Sequence, residues 1–150
     1  FKNLVEIIHN QDDSLSTGVI GARFVFHVLA QNGEWDLAYK MITKPEFPSY
    51  AALINMGATT LWEGFCKGGL CAGSSKNHHF WGDISGWFIK RIAGILYNPS
   101  GTNLKEVTIK PSFVSDLNYA KGYYTTPYGK VVSQWNRDGK NILIKMVKQN

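Results

Sequence analysis

Asn98-Pro99-Ser100-Gly101 is where the chain changes character. A proline and a glycine within four residues punctuate whatever regular structure precedes them. Before this stretch the apolar residues recur at helical spacing. After it they alternate with polar ones, as in half-buried strands. The pattern predicts an α+β chain, with helices in residues 1–97 and strands in residues 98–150.

Working back from the junction, His78–Leu96 carries Phe80, Ile84, Trp87, Phe88, Arg91, Ile92 and Ile95 near period 3.6, which predicts one long buried helix. Thr17–Gln31 predicts another, capped by Ser16 or Thr17 and stopped by a left-handed turn at Asn32-Gly33. Gly18 and Gly21 in its first turns point to close packing there. Glu34–Thr43 follows as a hairpin partner, with Glu34 and Asp36 where the helix dipole favours acids and Pro45 as its limit. Ser49–Asn55 is a short helix ended by Gly57. Ala58–Phe65, rich in Thr and aromatics, reads as extended, and Lys67–Ser75 as a Gly/Ser loop. Working forward, Glu106–Lys110, Leu117–Thr125, Lys130–Arg137 and Ile142–Lys148 read as four strands. Pro127-Tyr128-Gly129 and Asp138-Gly139 supply hairpin turns.

The 150 residues make about one domain, or one and a part. With 44% hydrophobic and 18% charged residues, a disordered polar chain is excluded. No apolar run approaches the ~20 residues of a membrane helix, so no membrane partner is expected. No basic segment followed by an apolar one marks a signal peptide, and a start at Phe1 without Met suggests a processed or excised piece. Residues 1–97 hold eight Lys/Arg and eight Asp/Glu, whereas residues 98–150 hold eight and three, so the second part carries the whole net charge of +5. Its lysines (Lys105, Lys110, Lys121, Lys130, Lys140, Lys145, Lys148) stand singly, which suits a solvated face better than a nucleic-acid surface. Cys66 and Cys71 form C-x4-C without the second pair of a zinc ribbon. They read as two free thiols or one loop disulfide, and no metal or other cofactor is expected. P-loop, dinucleotide, HExxH and GxSxG motifs are absent.

What remains is carboxylates and histidines among aromatics. Glu63, in Thr59-Thr60-Leu61-Trp62-Glu63-Gly64-Phe65, is flanked by Trp62 and Phe65, a partly dry setting suited to acid/base work. Alone it reads as easily as an ordinary paired or exposed glutamate. Asn77-His78-His79 opens the next segment, and adjacent histidines on a helix diverge too far to share a metal. His27 on an apolar helix face reads as a hydrogen-bonded core residue. Trp62, Trp81 and Trp87 are a sugar platform or core, with core the simpler reading for Trp87.

The order of several strings is more specific. Ser16-Thr17-Gly18…Gly21 and the helix pair precede Pro48-Ser49-Tyr50, Gly57-Ala58-Thr59-Thr60-Leu61-Trp62-Glu63 and Ser75-Lys76-Asn77-His78. Then come Trp87…Ala93-Gly94-Ile95, Ile109-Lys110-Pro111 and Tyr124-Thr125-Thr126-Pro127-Tyr128-Gly129. From about Ser16 onward the chain resembles the C-terminal end of bacterial α-L-rhamnosidases of glycoside hydrolase family 78. It departs from the family at Tyr50 and at Gly64-Phe65, and its Glu63-to-His78 loop is short and carries both cysteines.

The resemblance implies that residues 1–97 are the last helices of an (α/α)6 catalytic barrel and residues 98–150 an antiparallel β-sandwich. It implies inverting removal of terminal α-L-rhamnose from glycosides or polysaccharides. Glu63 inherits the role of general base, while His78, with Trp62 and Asn77, would contact the sugar. His79 inherits nothing. The family's general acid lies in an Asp/Arg/Glu-rich motif upstream of these strings, and nothing in residues 1–150 matches it; Asp12-Asp13 has the wrong surroundings. The chain then reads as a fragment that lacks the acid, is inactive alone, and needs the N-terminal part of the same enzyme as its partner. A bare apolar flank would favour self-association. The alternatives are a noncatalytic carbohydrate-binding module, and a basic β-domain that binds an acidic partner such as pectic polysaccharide through the lysines. Compartment and leaving group stay open.

Overall fold

In a computed structural model of the chain, residues 1–64, 74–101, 103 and 106–149 are described. Cys66 and Cys71, Phe65 and Lys105 lie outside the described residues, and the question of a disulfide lies there with them. The chain divides into two compact units, Phe1–Ile84 and Ser85–Asn150.

The first unit is helical. It contains α1 (Lys2–Asn10), α2 (Val19–Gln31), α3 (Trp35–Thr43) and α4 (Tyr50–Asn55). Leu29, Ala38, Met41 and Leu53 are at its buried centre. Neither Ser16 nor Thr17 caps α2. The N-cap is Gly18, with no side-chain bond. Ser16 instead donates to the Gln11 side-chain carbonyl. Thr17 lies against Gly21, where an added Cβ would come within 2.7 Å of Thr17 Cβ, so the close packing expected at Gly21 is present. The C-terminus of α2 is as read. Gly33 takes φ +92°, Glu34 N–H donates to Leu29 C=O at 2.9 Å and Gly33 N–H to Ala30 C=O at 3.4 Å. This is a Schellman ending, which satisfies the last carbonyls of the helix and reverses the chain into α3. Ser49 caps α4, its Oγ accepting from Ala52 N–H at 2.9 Å while its hydroxyl donates to Lys44 C=O. Asp12 and Asp13 follow α1 in left-handed conformation, and α3 holds both, Lys44 on Asp12 at 2.6 Å and Lys40 on Asp13 at 2.5 Å.

The long helix expected over His78–Leu96 is not continuous. A 3₁₀ turn, His79–Trp81, leads through Gly82 into α5 (Asp83–Trp87), where the two units meet in sequence. A π-helical turn, Phe88–Ile92, follows and closes with Ala93 N–H on Phe88 C=O at 2.9 Å. Gly82 and Ser85-Gly86 give this run weak helix propensity. Gly94 then ends it. Its φ is +73°, and a Cβ there would lie 2.1 Å from Pro111 N. The apolar periodicity is real, but Ile95 spends it in a strand.

The second unit carries two antiparallel sheets. β1 (Ile95–Tyr97) pairs with β2 (Val107–Ile109) in the register Ile95 to Ile109. β3 (Tyr119–Thr126), β4 (Gly129–Asp138) and β5 (Asn141–Gln149) form a three-stranded sheet with β4 central. Two-residue loops at Pro127-Tyr128 and Gly139-Lys140 join them. Val131, Ser133 and Trp135 alternate along β4 as its buried side. Val131 packs with Ala93 and Ile95 against Ile89, Val107 and Ile109. Trp135 is fully buried, its Nε1 donating to Ile92 C=O at 2.8 Å and its ring edge-on to Phe113.

Candidate active site

Glu63 and His78 are brought together by backbone pairing within the helical unit. After α4 the chain carries no regular element over residues 58–64 and bends at Thr59, Thr60 and Glu63, where the sequence led one to expect an extended segment. His78 N–H donates to Leu61 C=O at 2.7 Å, and Glu63 N–H donates to Ser75 C=O at 2.9 Å. Thr60 adds a hydroxyl bond to Lys76 C=O. The Thr-Thr-Leu-Trp-Glu and Ser-Lys-Asn-His strings therefore lie side by side.

Two further groups fix the glutamate. Ser75 N–H donates to Glu63 Oε2 at 2.7 Å, and the Trp81 indole donates to Glu63 C=O at 2.8 Å. His78 Nδ1 is 4.0 Å from Glu63 Oε2, close enough for charge interaction and too long for a direct hydrogen bond. The Glu63 side chain is 42% exposed and that of His78 22%. The carboxylate is open to water on one side and held on the other, not enclosed as the flanking aromatics led one to expect. Trp62 is half-buried, with Lys76 Nζ 5.7 Å from its ring centroid. Asn77 is exposed, its N–H turned onto Ser75 Oγ at 3.0 Å.

Behind these residues stands a buried aromatic column. Trp81 is buried, and Tyr50 donates its hydroxyl to Trp81 C=O at 3.2 Å with the two rings edge to face. Phe26 continues the column. Burial, reinforced by the Asp83 carboxylate, pushes the Tyr50 phenol above its ordinary range, so it remains a donor at neutral pH. His27 is the satisfied core histidine expected, its Nε2 2.9 Å from Asp83 Oδ2. Trp81 and Trp87 are core, and of the three tryptophans only Trp62 is partly open. Ser75 and Trp81 support Glu63 without having been expected from the sequence. The Ser-x-Asn-His string was a signal for the first; the second depends on a contact across 18 residues that no spacing announces. Val19, Ile20, Arg23, Phe24, His79, Phe80 and Asp83 line a separate cleft of about 730 Å³, which includes neither Glu63 nor His78. Among the described residues no group of three His, Cys, Asp or Glu is placed to hold a metal ion, and no helix is long and apolar enough to cross a membrane.

The family profile of the bacterial alpha-L-rhamnosidase six-hairpin glycosidase domain matches residues 1–92, and that of the bacterial alpha-L-rhamnosidase C-terminal domain matches residues 94–147. The chain belongs to the bacterial α-L-rhamnosidase family. An alpha-L-rhamnosidase of Formosa agariphila is 34% identical over 152 residues, covering 97% of this chain and 16% of that protein. The crystal structure of Streptomyces avermitilis alpha-L-rhamnosidase complexed with L-rhamnose superposes with a TM-score of 0.87 at 28% identity, covering 97% of this chain and 14% of that one. The alpha-L-rhamnosidase of Dictyoglumus thermophilum gives a TM-score of 0.85 at 32% identity, covering 97% and 16%. The chain thus spans about one-sixth of the length of these relatives. Its helices and its antiparallel sheets correspond in order to the family's glycosidase domain and C-terminal β domain.

Proposed function

We propose that this chain contributes the general base and part of the sugar site to an inverting α-L-rhamnosidase. In this reading the helices before Gly94 belong to the catalytic barrel and the strands from Ile95 onward to a β-sandwich, and the substrate is a rhamnose-containing glycoside or polysaccharide. The observation that carries the proposal is the geometry of Glu63. One carboxylate oxygen is fixed by Ser75 N–H, the group is 42% exposed, and His78 lies 4.0 Å away.

Inversion needs one carboxylate to take a proton from water on one face of the sugar while an acid protonates the leaving oxygen on the other. The two carboxyl groups stand about 6.5–9.5 Å apart to admit that water. A carboxylate held by one backbone N–H and open on its other side can orient a water and accept its proton. His78 would meet a rhamnose hydroxyl, Asn77 would add a polar contact and Trp62 a ring face. No residue of 1–150 carries the surroundings of the general acid. Asp12 and Asp13 are engaged with Lys44 and Lys40. The acid would therefore come from the remainder of the enzyme. The exposed Ile20, Phe24 and Phe80 support a helical set that continues beyond these helices and would otherwise self-associate.

The test is release of L-rhamnose from an aryl α-L-rhamnoside. The 150-residue chain alone is expected to show no turnover. The complete enzyme is expected to release the β-anomer first, seen by NMR, and Glu63→Gln in it to lower kcat by roughly 10²–10⁴-fold. Turnover by the chain alone, retention of the α-anomer, or an active Glu63→Gln enzyme would sink the assignment.

A further inference from the structure

The three-stranded sheet presents a second surface whose chemistry differs from that around Glu63. On the side away from Val131, Ser133 and Trp135, the strand register sets side chains in rows. Tyr123 stands beside Val132 and Val147, Lys121 and Lys145 flank Gln134, and Tyr119 stands beside Asn136. Lys130, one row before Tyr123, holds its Nζ 4.1 Å from the Tyr123 ring centroid. Successive rows are about 7 Å apart along the strands, and Lys121 and Lys145 about 10 Å apart across them. Aromatic and basic rows therefore alternate along a shallow groove of about 610 Å³.

Three features set this face apart from an ordinary solvated one. Tyr119 and Tyr123 are each 60% exposed, and solubility does not call for two bare rings in one groove. None of the described residues lining the groove is acidic, so its three lysines are uncompensated among them. Lys130 lies on the central strand, over a ring, where protection of a sheet edge needs no lysine. Arginine is absent from the described residues of the lining, although planar, bidentate recognition of phosphate favours it. Point-charge lysines beside flat rings with a phenol edge suit a chain of sugar rings that carry carboxylates.

We propose that this face binds a uronate-bearing polysaccharide, the rings stacking on Tyr119 and Tyr123 and the carboxylates meeting Lys121, Lys130 and Lys145. The choice of a glycan rests on the reading of the chain as part of a glycosidase; the face itself uses neither Glu63 nor His78. It would hold an acidic polymer while rhamnosyl groups are presented elsewhere.

Affinity electrophoresis of the complete enzyme through gels containing polygalacturonate tests this. Retardation is expected in polygalacturonate and not in dextran, and excess L-rhamnose should leave it unchanged. Lys121→Gln/Lys145→Gln should weaken retention roughly tenfold, two exposed charge contacts being lost. Tyr123→Ala should weaken it too, with an unchanged melting curve. Lys140→Gln/Lys148→Gln removes the same charge away from the groove, Lys148 lying opposite Val131, and should retain binding. Equal loss in that control, no loss in the groove variants, or equal retardation by dextran sulfate or single-stranded DNA would overturn the proposal. Displacement by L-rhamnose would move the binding to the Glu63 site, which the rhamnoside assay tests separately.

Discussion

The segment around Glu63 and the sheet centred on β4 are organised in opposite ways. Glu63 is placed by single bonds reaching far along the chain, to Ser75 twelve residues on and Trp81 eighteen residues on. β4 is placed by continuous pairing on both sides, Thr126 to Gly129 closing one hairpin and Asp138 to Asn141 the other. A register shift in the sheet would move Trp135 from its buried side to the outside, so the whole sheet resists it. Among the described residues around Glu63 there is no ladder of that kind, and each support counts by itself. Cooperative local pairing makes one region robust and legible, whereas the other depends on a few particular groups.

The sharpest way to break this comparison is at the plug of the sheet. Trp135→Ala removes a fully buried ring and a hydrogen bond to Ile92 C=O. The expected loss is about 3–5 kcal/mol, read by urea denaturation as loss of the sheet signal before the helical signal. Coincident loss of both would mean that the two units unfold as one. The corresponding change in the helical unit is smaller. Ser49→Ala removes the cap of α4 and the bond to Lys44 C=O and should cost about 1–2 kcal/mol in the same experiment. A cost near zero would show that packing of Tyr50, Ala52 and Leu53 alone sets that helix.

The same contrast explains what the sequence disclosed. All four strands after the junction were legible because a period of two survives wherever one face is buried, as Val131, Ser133 and Trp135 are. α2, α3 and α4 were legible from Gly33, Pro45 and Ser49. His78–Leu96 was not, because periodicity records burial and says little about the path. Phe88, Ile92 and Ile95 are spaced as in a helix, yet the run falls into four pieces, parted at Gly82, at the change from α-helix to π-helical turn after Trp87, and at Gly94. At the candidate site the pairing of Glu63 with His78 rested on motif order, and the structure adds the supports from Ser75 and Trp81. The openness of Glu63 was not legible, since adjacent aromatics in sequence do not fix which way a carboxylate faces.

A sheet with an over-determined register can tolerate a local defect, and β4 contains one. Ser133 is fully buried, and its hydroxyl has no hydrogen-bond partner among the described residues. A buried unsatisfied hydroxyl costs roughly 1–3 kcal/mol, and alanine at the same place removes that cost for little loss of volume. Ser133→Ala should therefore stabilise the β unit, by about 1 kcal/mol if part of the cost is relieved. Destabilisation on urea titration would mean that the hydroxyl finds a partner in solution.

The smallest effect belongs to Asp13 in the helical unit, and it is visible only through pH. Burial works against the Asp13 carboxylate, but hydrogen bonds and charge from Lys40 and His9 together outweigh it and hold the carboxyl below its ordinary value. A depressed folded value means that the unfolded chain binds the proton more readily. The stabilisation is fully present above the ordinary carboxylate range, near pH 4, and fades as pH falls through the lower folded value. Lys40 carries the complementary upward shift, whose effect would fade only in strong alkali. Asp13→Asn should lower the denaturation midpoint at pH 6 and converge with the unmodified chain near pH 2. A difference that persisted undiminished in acid would show that Asp13 acts through its left-handed backbone, φ 50°, which asparagine keeps less well than supposed, and not through its charge.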